Sequence, residues 1–177
     1  PKSANSTNSV KVTWNKISGA TNYVIYRSEI KYGSWTYWTV LGKLDKNTTT
    51  YFDTTAKSGT VYRYTVRAEK NDCISAYKVT SSLMYLDIPT VTAAKTDDSI
   101  TVSWEKIQGA TSYAVYKSEY NAKTKKWSTW SKEKTVSSAT LEWVDSSAKD
   151  GKTYRYTVRA LNGSEKGCYK ASESIKK

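Results

Sequence analysis

Val10, Val12 and Trp14 alternate with Lys11, Thr13 and Asn15 near the start of the chain. Successive side chains of an extended strand point to opposite faces, so this alternation predicts a half-buried strand over 10–15. The same period returns where Tyr62, Tyr64, Val66 and Ala68 alternate with Arg63, Thr65, Arg67 and Glu69. Shorter β-rich runs fall at 23–27, 35–41, 49–53 and 76–82, and Ser18-Gly19-Ala20 reads as a turn. No stretch carries the apolar period of a helix. Short strands separated by turn signals predict an all-β sandwich.

The pattern occurs twice. Val10-Lys-Val-Thr-Trp-Asn-Lys-Ile-Ser-Gly-Ala-Thr-Asn-Tyr23 reappears as Ile100-Thr-Val-Ser-Trp-Glu-Lys-Ile-Gln-Gly-Ala-Thr-Ser-Tyr113, an offset of 90 residues (104 minus 14). Gly59-Thr-Val-Tyr-Arg-Tyr-Thr-Val-Arg-Ala68 reappears as Gly151-Lys-Thr-Tyr-Arg-Tyr-Thr-Val-Arg-Ala160, an offset of 92 (151 minus 59). Trp35 and Trp38 match Trp127 and Trp130 at 92, which places the two extra residues between Glu119 and Trp127. A surface loop tolerates such an insertion at little cost. The chain therefore divides into two repeats, 1–87 and 88–177. The stretch 84–89 between them is short and apolar, unlike a flexible Gly/Ser linker. The second copy has 89–96 as a first strand. The first copy has only 1–8 there, so its first strand is expected to be cut short and the chain to come from a longer protein.

A Val-x-Trp strand, a tyrosine-rich strand, and then Gly-Thr-x-Tyr-x-x-x-Val-x-Ala together resemble the fibronectin type III family, once per repeat and over nearly the whole chain. The resemblance implies two tandem seven-stranded immunoglobulin-like sandwiches. It implies that Trp14 and Trp104 are core tryptophans, and that Tyr62 and Tyr154 are tyrosine corners, each hydroxyl bonding back to nearby backbone. Two departures stand out. No proline follows the tryptophan strand, and the corner turn carries Lys-Ser-Gly or Lys-Asp-Gly. The Lys-, Thr- and Tyr-rich style, with Ser-Gly-Ala-Thr, resembles repeats of Gram-positive surface and secreted proteins. That likeness implies an extracellular, cell-surface or cell-wall location.

Composition narrows the chemistry. The 177 residues contain no histidine, which removes the usual general base and commonest metal ligand. There is no Walker motif, phosphate loop or Cys-x-x-Cys, so no catalytic residue, metal or cofactor is expected. Glu29 and Glu119, equivalent in the two copies, read as loop charges. Cys73 and Cys168 sit at non-equivalent places and read as free thiols. The net charge of +12 is spread along both halves, with one dense group at Lys123, Lys125 and Lys126. It reads as a solvated surface first and as attraction to an anionic partner second. No nucleic-acid signature accompanies it, and no run of 18 apolar residues predicts a membrane span. The chain opens on a polar stretch without the pattern of a secretion signal.

The aromatics are the remaining candidates: 15 tyrosines and 7 tryptophans against one phenylalanine. Trp14, Trp104, Tyr62, Tyr64, Tyr154 and Tyr156 fall on inward faces. If Tyr23 and Ile25 point in, then Val24 and Tyr26 point out, so Tyr26 and Arg67 are expected to share an outer face, repeated by Tyr116 and Arg159. That pairing is read either as a ladder stabilising the sheet or as a binding surface. Trp35, Tyr37 and Trp38, with Trp127 and Trp130, are the other binding candidates. By strand alternation Trp35 and Trp38 are expected on opposite faces, with Tyr37 sharing the face of Trp35. The expected role is a non-catalytic module, acting as a monomer, that binds a host protein or glycan. The alternative is a passive spacer in a wall-anchored protein or a multidomain carbohydrate-active enzyme.

Overall fold

The computed structural model describes residues 1–71 and 73–177. It divides into two compact units, Pro1–Tyr85 and Leu86–Lys177. In the first, β1 (Lys2–Ser6), β2 (Ser9–Thr13) and β6 (Thr50–Asp53) form one antiparallel sheet in the order β1-β2-β6. The second sheet is built on the two long strands, β3 (Asn22–Lys31) and β7 (Val61–Lys70). Its edges are broken. β4 (Ser34–Trp35) and β5 (Thr39–Asp45) both pair with β3, while β8 (Cys73–Ile74) and β9 (Leu83–Met84) both pair with β7. With each broken edge taken as one strand, the unit is a seven-stranded sandwich.

The second unit repeats this design. β10 (Val91–Lys95), β11 (Ile100–Trp104) and β15 (Glu142–Asp145) form the smaller sheet. β12 (Ser112–Asn121) and β16 (Thr153–Asn162) centre the larger one, edged by β13 (Lys126–Trp127), β14 (Ser131–Ser137), β17 (Glu165–Lys166) and β18 (Ile175–Lys176). The two-residue insertion sits in the β12–β13 hairpin. The β3–β4 hairpin turns on Tyr32 and Gly33, both at positive φ. Its counterpart instead uses a longer turn, in which Asn121 Oδ1 accepts from the amides of Lys123 and Thr124. β1 and β10 are both five residues long, so the first strand of the first copy is not shortened. The run expected at 76–82 is not a continuous strand: it meets β7 through an isolated bridge, Thr65–Val79, and through hydrogen bonds of Lys78 and Thr80 to Thr65 and Tyr64.

Alternation explains the cores. Val10, Val12, Trp14, Tyr23, Ile25, Tyr62 and Tyr64 are buried in the first unit, as are Trp104, Tyr154 and Tyr156 in the second. Each core tryptophan meets a tyrosine edge-on, Trp14 with Tyr23 at 5.5 Å and Trp104 with Tyr113 at 5.7 Å between ring centroids. The tyrosine corners are present. Tyr62 Oη accepts from the Lys57 amide at 2.9 Å and Tyr154 Oη from the Lys149 amide at 3.1 Å. Val24 departs from expectation: it is buried on the outer face, where its cross-strand neighbours are the long side chains of Lys43 and Arg67.

One buried carboxylate crosses between the sheets of each unit. Asp53, at the end of β6, is fully buried. It accepts from Tyr64 Oη of β7 at 2.9 Å, from Arg27 of β3 at 2.9 Å, and from the hydroxyl and amide of Thr55 at 2.7 and 3.0 Å. Asp145 repeats the arrangement with Tyr156 at 2.8 Å, Ser147 at 2.6 Å and Lys117 at 3.1 Å. Burial alone would raise the pKa of Asp53. The hydrogen bonds from Thr55, Arg27 and Tyr64 outweigh it, and the carboxyl stays below its ordinary value. Asp145 is held low in the same way by Ser147, Tyr156 and Lys117.

A carboxyl more acidic in the folded than in the unfolded chain stabilises the fold fully at neutral pH. That contribution drains away as pH falls through the folded value. Asp53→Asn is expected to cost the first unit about 3–5 kcal/mol at pH 7, the scale for breaking a buried pair. The Asp53→Asn/Asp145→Asn protein should also show a smaller acid-side fall in Tm than the parent. Calorimetry from pH 2 to 7 measures both effects.

Candidate binding face

The larger sheet of each unit carries an arginine–aromatic ladder on its outer face. Arg63 and Arg67 of β7 point outward, because Tyr62, Tyr64 and Ala68 point in. The guanidinium of Arg63 lies over Trp35 at 4.2 Å and over Trp38 at 5.0 Å, sandwiched between the two indoles. Trp38 meets Tyr77 edge-on at 6.2 Å. Arg67 then covers Tyr77 at 5.6 Å, and its Nε donates to the Ser75 carbonyl at 2.9 Å. The rungs run Trp35, Arg63, Trp38, Tyr77, Arg67.

The second unit repeats every rung. Arg155 lies over Trp127 at 4.4 Å and Trp130 at 4.9 Å, Trp130 meets Tyr169 at 6.1 Å, and Arg159 covers Tyr169 at 5.4 Å. Nε of both Arg63 and Arg155 is buried without a hydrogen-bond acceptor among the described residues. Two π faces take the place of that acceptor. A desolvated cation–π contact is worth up to about 2 kcal/mol, more than an exposed one.

Three expectations from the sequence are corrected here. Trp35 and Trp38 share one face instead of opposing each other, because the chain leaves regular strand between them. Trp35 ends β4 and β5 begins at Thr39. Thr36 between them is pinned, its carbonyl accepting from Ser28 Oγ at 2.8 Å and its own hydroxyl from the Glu29 amide at 3.1 Å. Tyr37 does not share the face of Trp35: it is 97% exposed and joins no rung, and a threonine, Thr129, replaces it in the second unit. The ring under Arg67 is Tyr77 and not Tyr26, whose cross-strand neighbour is Thr65. Likewise Arg159 covers Tyr169 and not Tyr116.

Tyr116 is nevertheless brought close. With Trp130, Thr157, Arg159 and Tyr169 it lines a shallow depression of about 100 Å³. Thr157 forms the buried floor, its hydroxyl donating to the Lys170 carbonyl at 2.8 Å. Trp127 lies at the other end of the ladder, against Tyr120 at 5.2 Å. The depression is the size of one side chain or part of a sugar ring, with aromatic walls and an arginine at its edge. Arg63, Arg155, Tyr77 and Tyr169 were not among the residues expected from the sequence. Their signal was present: arginines four apart on one strand face, and tyrosines at the repeat offset of 92 (169 minus 77). Cys73 and Cys168 are free thiols. Among the described residues no helix is long and apolar enough to cross a membrane.

Known structures share this architecture. The chain is similar to a two-domain fibronectin type III segment of chicken tenascin, at 15% identity and a TM-score of 0.50, over 99% of this chain and 97% of that one. It also matches the chicken interferon gamma receptor alpha chain at 13% identity and a TM-score of 0.48, over 99% and 98% of the two chains. No family model and no curated protein matches the sequence. The fold is two tandem fibronectin type III-like sandwiches.

Removing one arginine from its sandwich should uncover two indoles at once. Arg63→Ala is expected to cost the first unit about 1–2 kcal/mol, with a red shift in tryptophan emission. Arg63→Lys should recover little of this, because a compact ammonium cannot stack flat between two rings. Chemical denaturation followed by fluorescence reads both effects.

Proposed function

We propose that the chain is a non-catalytic recognition module of an extracellular, bacterial-type surface protein, and that it contacts a protein or glycan through the outer ladder faces. The observation that supports this is the pocketed end of the ladder in the second unit. Tyr116, Trp130, Arg159 and Tyr169 converge there on a depression that is already formed. Aromatic side chains held by packing lose little entropy on binding, and tryptophan, tyrosine and arginine are the residues that most often anchor interfaces. An arginine at the rim adds recognition of a carboxylate, on an acidic side chain or an acidic sugar. The net charge of +12 draws such partners in.

A second reading is a spacer. It is favoured by the ladder itself, because Arg63 and Arg155 already cover the indoles that a ligand would stack on. In that reading the ladder stiffens the sheet and the parent protein's activity lies elsewhere.

Binding by the intact chain to arrayed neutral and acidic glycans, and to purified extracellular matrix and serum proteins, separates the two. A recognition module should show at least one saturable partner. Arg159→Gln and Trp130→Ala should each weaken that interaction tenfold or more while the protein remains folded by circular dichroism. Saturable binding that is unchanged in both variants places the site off this face. No saturable partner at all favours the spacer.

A further inference from the structure

The two units differ at one end of the sandwich. In the first, a cleft of about 670 Å³ opens onto the core, lined by Pro1, Trp14, Ile17, Tyr23, Val66 and Ala76 among others. In the second unit the equivalent residues are Val91, Trp104, Ile107, Tyr113, Val158 and Cys168, at offsets of 90 or 92. There the end is closed. Ile17 is 49% exposed, whereas Ile107 is 7% exposed. Val66 is half-buried, whereas Val158 is fully buried.

The plug of the second unit is visible in its own chain. Leu86 is fully buried and Pro89 is buried. Leu86 lies so close to Gly167 that a Cβ there would come within 3.2 Å of the leucine Cβ. Gly167 stands at the position of Ser75, which lines the first unit's cleft. The Leu-Asp-Ile-Pro segment ahead of β10 thus sets its leucine against Gly167, the position whose counterpart lines the open cleft of the first unit.

We propose that this cleft is a docking seat for an extended segment of Leu-x-x-Pro pattern, joined ahead of Pro1 as Leu86–Pro89 is joined ahead of Val91. The leucine fills the space over Ile17 and Val66, and the proline lies against the mouth near Trp14. Proline suits the position because its fixed φ keeps the segment extended and no backbone donor is left to satisfy. The seat is not an exact copy, since Ser75 carries the Cβ that Gly167 lacks. The leucine backbone must therefore sit a few tenths of an ångström farther out than Leu86 does. The proposal is independent of the ladder reading, although Tyr77 borders both surfaces.

The test adds Leu-Asp-Ile-Pro-Thr ahead of Pro1 in the full chain, with Ser-Asp-Ile-Ser-Thr as the matched control. The Leu/Pro extension should raise the Tm of the first unit by about 5 °C or more. It should also shift the NMR signals of Trp14, Ile17 and Val66, while those of Trp104, Ile107 and Val158 stay fixed. The control should do neither. Leu86→Ser in the unextended chain calibrates the effect, and should lower the Tm of the second unit and loosen Ile107. Equal stabilisation by both extensions, or no shift at Trp14 and Ile17 with the Leu/Pro extension, overturns the proposal.

Discussion

The buried carboxylate at the end of β6, and its twin at the end of β15, is the constraint on which each unit depends. Asp53 is the point where residues from both sheets meet, receiving bonds from Tyr64 on β7 and Arg27 on β3. An uncompensated charge in that place would be very costly, so the surrounding donors must all be present together. The second copy keeps the carboxylate and the tyrosine but replaces Arg27 with Lys117 and Thr55 with Ser147. What is preserved is therefore a satisfied carboxylate, whatever supplies the positive charge.

Fixing Tyr64 fixes the rotation of the long strand. Two residues earlier, Tyr62 is held by its corner bond to the Lys57 amide. With alternate residues committed inward, Arg63 and Arg67 have nowhere to point but outward. They land on indole and phenol rings supplied by the two edges of the sheet. The inner network thus determines the outer ladder. The same residues that hold the sheets together set the spacing of side chains on the outer face.

Much of this was legible in the sequence. The repeat, the sandwich, the core tryptophans and the tyrosine corners follow from period-two alternation and from paired motifs at constant offsets. The details of the outer face did not follow, for one physical reason: the edges are irregular. Alternation puts Trp35 and Trp38 on opposite faces only if the strand continues between them. Thr36 instead ties its own backbone and hydroxyl to β3 and interrupts it. Irregularity at the other edge, where the run around Val79 meets Thr65 by an isolated bridge instead of a continuous strand, brings Tyr77 and Tyr169 over the sheet, and these rings, not Tyr26 and Tyr116, lie under the arginines. Asp53 and Asp145 were hidden differently, since a single acidic residue at a strand end gives no sign of being buried until its donors are brought together from distant strands.

The outward consequence of that inner network is one arginine clamped between aromatic rings on the outer face of each unit's larger sheet. Side-chain NMR of the intact protein tests this directly, through the Nε–H signals of Arg63 and Arg155. Two distinct Nε–H resonances, displaced by ring currents and slow to exchange with water, are the predicted result. Nε–H signals at free-arginine positions with rapid exchange would mean that the guanidinium groups are loose in solvent, and would contradict the ladder.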